Sequence, residues 1–218
     1  MLENKKNVDR ALTVLTVLLS NGIVVYGILF LHWSFFMVLY SYWFGELIVS
    51  IFERIAYQRV KKRKELTSSV GRKESEGRFF FLLVYWLFIV LVVGFIAASE
   101  NKFGENLIVM SFRDRPFNIS ILVVFIGTAL LYYRDFIRYN DYRPAAVAMA
   151  NSLLNKRTVL MHIAVLSSAF LWFCTHVKHF FIYVPLGKQG DLVFLLLLAA
   201  VRLAGDVFWL FKKKNGLT

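Results

Sequence analysis

One cysteine, Cys174, stands in 218 residues, so the chain can close no intrachain disulfide and rests on no covalent framework. Three prolines leave long stretches free of helix-breaking residues. Acids are scarce, 14 against 26 lysines and arginines, for a formal charge of +12. The signatures of common chemistries are missing as well. There is no HExxH, no glycine-rich phosphate loop, no GxSxG and no CxxC. Period-two alternation is absent, which excludes a barrel of short amphipathic strands. No small-residue cleavage pattern follows the first apolar run, so that run reads as a span and not as a cleaved signal. No tandem or inverted repeat stands out.

Apolar residues fill what remains. They make up 58% of the chain, 22 of them phenylalanine, and the mean hydropathy is +0.59. Soluble domains sit near 45–50% apolar, so this is the composition of a membrane protein. A membrane helix needs roughly 20 mostly apolar residues to cross about 30 Å of hydrocarbon. Six stretches meet that requirement: 11–31, 35–57, 79–98, 117–138, 158–180 and 191–211. The expected fold is an all-α, polytopic transmembrane bundle with six spans, a single integral membrane domain over 1–218. Asn118 after Pro116 is the expected cap of the fourth run, and Asp191 after Gly190 opens the sixth.

Charge sets direction. Nineteen of the 26 lysines and arginines fall on the side that holds both termini and the second and fourth gaps, and five on the other side. Both termini are expected in the cytoplasm of a cell (inner) membrane protein. With the bases gathered in gaps between runs, nucleic acid is the weaker explanation of the charge. The cytoplasmic basic loop 58–78 contains Lys61–Lys64, an expected anchor on anionic lipid headgroups at roughly 1 kcal/mol per base. Residues 106–117 are too short to span and are expected in the outer interface or dipping inward. Residues 143–156, with Pro144 in a first helical position, read as an interfacial helix.

Polar side chains interrupt the runs at consistent depths. Asn21, Glu46, Thr128, Ser167, Ser168 and Arg202 lie near the centres of their runs, whereas the third offers Phe88. A lone charge there costs from about 2.5 to well over 10 kcal/mol, so pairing is expected. Arg202 and Asp206, four apart, share a helical face, and Arg202 is expected to serve Glu46 as well. A second layer, about 7 to 11 Å toward the cytoplasm, gathers Glu53, Asp135, His162 and Asp206 as a candidate metal or proton site. Tyr42, Glu46, Ser50, Glu53 and Tyr57 form one stripe; Thr128, Tyr132, Asp135 and Tyr139 form another. His176 and His179 stand near the outer end of the fifth run. Ala200 and Ala204 allow close helix approach in the sixth.

The stretches "YSYWFGELIVSIF", "RTVLMHIAVLSS" and "RLAGD" resemble an uncharacterised prokaryotic multi-pass membrane family, a domain of unknown function. The resemblance places Tyr42, Trp43, Glu46, Arg157, His162, Arg202 and Asp206 on its recurring positions. In this chain the acid follows the tryptophan by three residues where two are expected. The third run carries no histidine, and Trp209 stands where another histidine is expected. A histidine metal site in relatives would therefore be incomplete here. The resemblance implies topology and no activity.

Three functions remain open on these residues. The first is transport or conduction of a small ion, or of a proton-coupled solute, through a charged core; a bundle this thin then implies a homo-oligomer or a membrane-complex partner. The second is a membrane-embedded enzyme using a divalent transition metal on a lipid or lipid-linked substrate. The third is a non-catalytic accessory or assembly subunit whose polar groups serve as packing glue.

Overall fold

The computed structural model describes residues 2–63, 70–96, 100–138 and 187–214, with Val147, Val159, Ile163, Leu166, Ser167, Phe170 and Cys174 as single positions between them. All regular structure among these residues is helical. In chain order the elements are α1 (Leu2–Phe30), α2 (Phe35–Lys62), α3 (Val70–Leu87), α4 (Glu100–Met110), α5 (Arg115–Tyr132) and α6 (Gly187–Lys214). Wider π-helical turns continue α3 over Phe88–Ile96 and α5 over Tyr133–Arg138. Among the described residues four segments are long and apolar enough to cross a membrane: Ala11–Phe30, Phe35–Lys62, Glu76–Phe95 and Arg115–Arg138. The sixth apolar run lies in α6, and the fifth falls largely outside the described residues.

α2 is the central helix. Its most apolar window is 67% buried, against 33% or less in the other three spans. It packs on α5 and α3, while α1 packs on α6 and α5. Outward faces carry Leu15, Leu18, Leu19, Phe80, Leu83, Ile119, Leu122 and Phe125, each about half exposed. A continuous apolar surface of this kind belongs in lipid. The chain is a helical membrane protein.

Local chemistry explains the ends. Between α1 and α2 the chain turns at His32 with φ 53, and the Trp33 amide donates back to the Gly27 carbonyl at 3.0 Å. The Trp33 ring then lies where any side chain at 27 would project, so only glycine fits. Ser34 caps α2 by accepting from the Met37 amide. α4 ends in a Schellman turn: Arg113 N donates to Ile108 O, Phe112 N donates to Val109 O, and Phe112 takes a left-handed φ of 56. The Phe112 ring lies edge-on to Phe44, a contact that offsets the strained backbone.

Several expected boundaries move. The cap of α5 is Asp114, which accepts from the Phe117 amide at 2.7 Å, with Pro116 in the first turn. Asn118 instead donates to the Phe112 carbonyl at 2.6 Å, closing the α4–α5 corner. An acceptor must precede the first free amides, and Asn118 already lies inside the helix. α6 begins at Gly187, four residues before Asp191. The 58–78 segment is not all loop, because α2 continues through Lys62 and α3 has begun by Val70. Residues around 106–117 form the end of α4 and the start of α5. Asn106 is buried there and donates to the Gly94 carbonyl at 3.1 Å, in the π-helical turns that end α3. Apart from Val147, the stretch read as an interfacial helix lies outside the described residues.

Candidate functional site

The stripe on α2 faces α3 and α6, and charges from three helices meet along it. Glu46 is 0% exposed and Arg78, from the first turns of the third span, is 1% exposed. Arg78 Nη2 contacts Glu46 Oε1 at 2.6 Å, and its Nη1 contacts Glu53 Oε2 at 2.5 Å. Glu46 and Glu53 are seven residues, two turns, apart on one face. A planar guanidinium laid along that face presents one nitrogen to each carboxylate. Trp43 fixes the approach, its indole N–H donating to the Leu82 carbonyl at 2.7 Å. Leu82 is one turn beyond Arg78 on the buried face of α3.

On the other side of Glu46 stands Arg202, 6% exposed. Its Nη2 is 3.7 Å from Glu46 Oε2 and its Nε 3.7 Å from Asp206 Oδ2. The guanidinium carbon lies 5.7 Å from the Tyr42 ring centroid, within cation–π range. Asn21 of α1 donates to Asp206 Oδ2 at 3.1 Å and to its own Val17 carbonyl at 3.0 Å. The result is a row alternating in sign, Glu53–Arg78–Glu46–Arg202–Asp206, built from α2, α3 and α6 and closed on α1 by a neutral amide. Alternation lets charges sit in low dielectric without the full cost of an isolated one.

Other polar residues lie elsewhere. Ser50 and Thr128 turn their hydroxyls back onto the carbonyls of Glu46 and Val124, each within its own helix. Ser167 is exposed. Asp135 pairs with its neighbour Arg134 at 2.6 Å, and Arg134 Nη1 donates to Thr13 on α1 at 2.8 Å. Arg134 is thus buried between helices. Glu53, Asp135 and Asp206 consequently sit with different partners. Among the described residues no three histidine, cysteine or acidic side chains gather as metal ligands. His162, Ser168, Arg157, His176 and His179 lie outside those residues, as do Tyr139 and Lys64.

The residue that sequence reasoning missed is Arg78. It stands one position before the third apolar run, inside the 58–78 stretch whose bases read as a cytoplasmic loop. The signal for it was helical spacing, one turn before Leu82 on what becomes the buried face.

A helical bundle with an apolar exterior and a buried row of alternating charges defines an integral membrane protein with a polar core. The chain belongs to DUF6498, a family of unknown function, which it matches over residues 3–216. That agrees with the resemblance drawn from its Tyr-Trp-acid, Arg-to-His and Arg-to-Asp stretches. No curated protein and no solved structure matches it.

Proposed function

We propose that the chain conducts or transports a small ion, or a proton-coupled solute, through the core of a single six-span domain, 1–218, in the cell's inner membrane. Both termini lie in the cytoplasm, and Lys61–Lys64 rest on anionic headgroups. The observation that carries this reading is the row from Glu53 to Asp206. Buried ion pairs are commonly matched or bettered in stability by apolar replacements, so five charged side chains in one core exceed what packing needs. Ionisable groups that line up inside a bundle are suited to passing charge between neighbours. A homo-oligomer or a second membrane subunit would complete the pathway.

The test is flux in liposomes that contain the purified chain, under imposed proton, sodium and potassium gradients. Flux above that of empty liposomes is expected, and the Glu46→Gln, Glu53→Gln, Arg78→Met triple variant should fold yet lose it. Wild-type protein that moves none of these ions would remove the reading. The short Arg78 contacts favour a second reading, an accessory subunit in which the row is packing glue. The triple variant would then still associate with its membrane partners and support their activity. A metal-dependent enzyme is less favoured, because Glu53, Asp135 and Asp206 have separate partners. Orientation has its own check: in a Cys174→Ser background, cysteines at 68 and 215 should label only from the cytoplasm and one at 188 only from outside.

A further inference from the structure

Away from the charged row, another face of α2 meets α5 along an apolar groove of about 380 Å³. Phe44, Leu47 and Ile48 line it from α2, at spacings of three and four that put them on one helical face. Asn118, Ile121, Leu122 and Phe125 repeat that spacing on α5, so two helical faces share one crevice. Phe112 lines the end nearest the α4–α5 corner, and at the other end Phe125 packs against Phe52. Leu122 and Phe125 are about half exposed, so the groove opens toward the bilayer.

Its depth fits a single leaflet. The Arg115–Arg138 span centres between Ile126 and Gly127. At a helical rise of about 1.5 Å per residue, Arg115 then lies about 17 Å and Asn118 about 13 Å from the bilayer middle. Half of the hydrocarbon core is about 15 Å. The groove therefore runs from just inside the boundary at Asn118 to near the midplane at Phe125, which is the path of one acyl chain. A helix about 10–12 Å across needs roughly twice the groove's volume over that length. At the rim, Arg113 and Arg115 are exposed, and neither side chain has a hydrogen bond or ion pair among the described residues. Arg113 adjoins Phe112, and Arg115 stands three residues, about one turn, before Asn118. Asp114 between them is engaged in capping, accepting from the Phe117 amide at 2.7 Å. Asn118 gives its Nδ2 to the Phe112 carbonyl, while its Oδ1 is buried with no hydrogen-bond partner among the described residues.

We infer that this groove binds one anionic phospholipid with a hydroxyl-bearing headgroup, of the phosphatidylglycerol class. One acyl chain lies between α2 and α5, and the phosphate rests on Arg113 and Arg115. A guanidinium matches a phosphate through paired N–H donors, and two at one rim favour a net negative headgroup over a zwitterionic one. The unmet Asn118 oxygen accepts from a headgroup hydroxyl, which choline lacks. The tail gains nothing by leaving water, because the surrounding lipid is as apolar as leucine. The groove instead adds close dispersion contact along the rings of Phe44, Phe112 and Phe125, which positions the tail. This site uses none of the charged row, so it holds whether the core conducts ions or serves assembly.

The experiment is native mass spectrometry of the full chain in detergent, with phosphatidylglycerol and phosphatidylcholine of identical tails as competing probes. A background of Lys61→Gln, Lys62→Gln, Arg63→Gln and Lys64→Gln keeps lipid on the basic end of α2 from being counted. One phosphatidylglycerol per chain should be retained in preference to phosphatidylcholine. Arg113→Gln with Arg115→Gln should weaken phosphatidylglycerol about thirtyfold and erase the preference. Leu122→Trp, which puts a larger ring into the groove from an exposed position, should weaken both lipids. Circular dichroism checks the helices of each variant; should Leu122→Trp misfold, the exposed arginine pair still decides. Glycerol 3-phosphate, the same anion without tails, should not displace the lipid. Displacement by it would make the rim a phosphate site and overturn the inference. Phosphatidylglycerol retained equally by the arginine variant overturns it too. So does a dimer that excludes lipid and dissociates in Leu122→Trp, which would make a second copy of the chain the occupant.

Discussion

Replacing Arg78 by methionine tests the electrostatic reading most directly. The substitution keeps much of the aliphatic volume and removes the guanidinium from between two carboxylates. Breaking a buried pair by deleting one partner typically costs about 3–5 kcal/mol, because the remaining charge is stranded. Against a total stability of about 5–15 kcal/mol, that is a large fraction. The loss should not divide evenly. Glu46 is fully buried and depends on Arg78, with Arg202 more distant, whereas the Glu53 side chain is 23% exposed and can turn toward water. Most of the penalty therefore belongs to Glu46. Adding Glu46→Gln to Arg78→Met should recover most of the loss, and adding Glu53→Gln should recover little. Detergent-induced unfolding in mixed micelles, followed by helical circular dichroism at fixed salt, measures all three variants. A loss below about 1 kcal/mol, the range of an exposed pair, would refute the argument. So would a stronger rescue by Glu53→Gln than by Glu46→Gln.

Other expectations are narrower. Arg202→Met should cost less than Arg78→Met in the same assay, since Glu46 keeps Arg78 and Asp206 keeps Asn21. Gly27→Ala drives a methyl into the Trp33 ring and should lower stability by about 1–3 kcal/mol, with an accompanying change in tryptophan fluorescence. Gly22→Ala, where nothing lies within 4 Å, should be neutral or slightly stabilising. Trp43→Phe removes the donor to the Leu82 carbonyl and should cost about 0.5–1.5 kcal/mol by the same unfolding measurement.

The helices were legible because hydropathy is a local quantity: runs 11–31 and 35–57 closely anticipate α1 and α2. Glu46, Arg202 and Asp206 were legible because each interrupts an apolar run. Arg78 was not, because a base at the edge of a run looks the same whether it faces headgroups or a neighbouring helix. Only the approach of α3 to α2, fixed by contacts such as Trp43 to Leu82, separates the two cases. Depth also misled at Asp135. It shares a level with Glu53, yet in the π-helical turns of Tyr133–Arg138 its side chain meets Arg134, the adjacent residue. Pairing between immediate neighbours is not a feature of regular α-helical spacing. The cap of α5 was misplaced by only four residues, because Asp114 and Asn118 both flank Pro116 and both residue types can cap.

The order of the charges along the chain bears on how the protein enters the membrane during synthesis. A charged residue at the centre of an inserting helix costs about 2.5–3.5 kcal/mol on the biological scale. Glu46 and Glu53 are followed by Arg78 in the very next span, so α2 and α3 can leave the insertion machinery as a hairpin that carries its own counter-charge. Arg202 and Asp206 arrive much later, but four residues apart on one helix, and so largely neutralise each other. The nascent chain thus presents its charges in self-compensating parcels. The contacts of Arg202 with Glu46 and Tyr42, and of Asp206 with Asn21, wait for α6, so a chain truncated before α6 should still seat its α2–α3 hairpin in the bilayer, with Tyr42 facing an unfilled position.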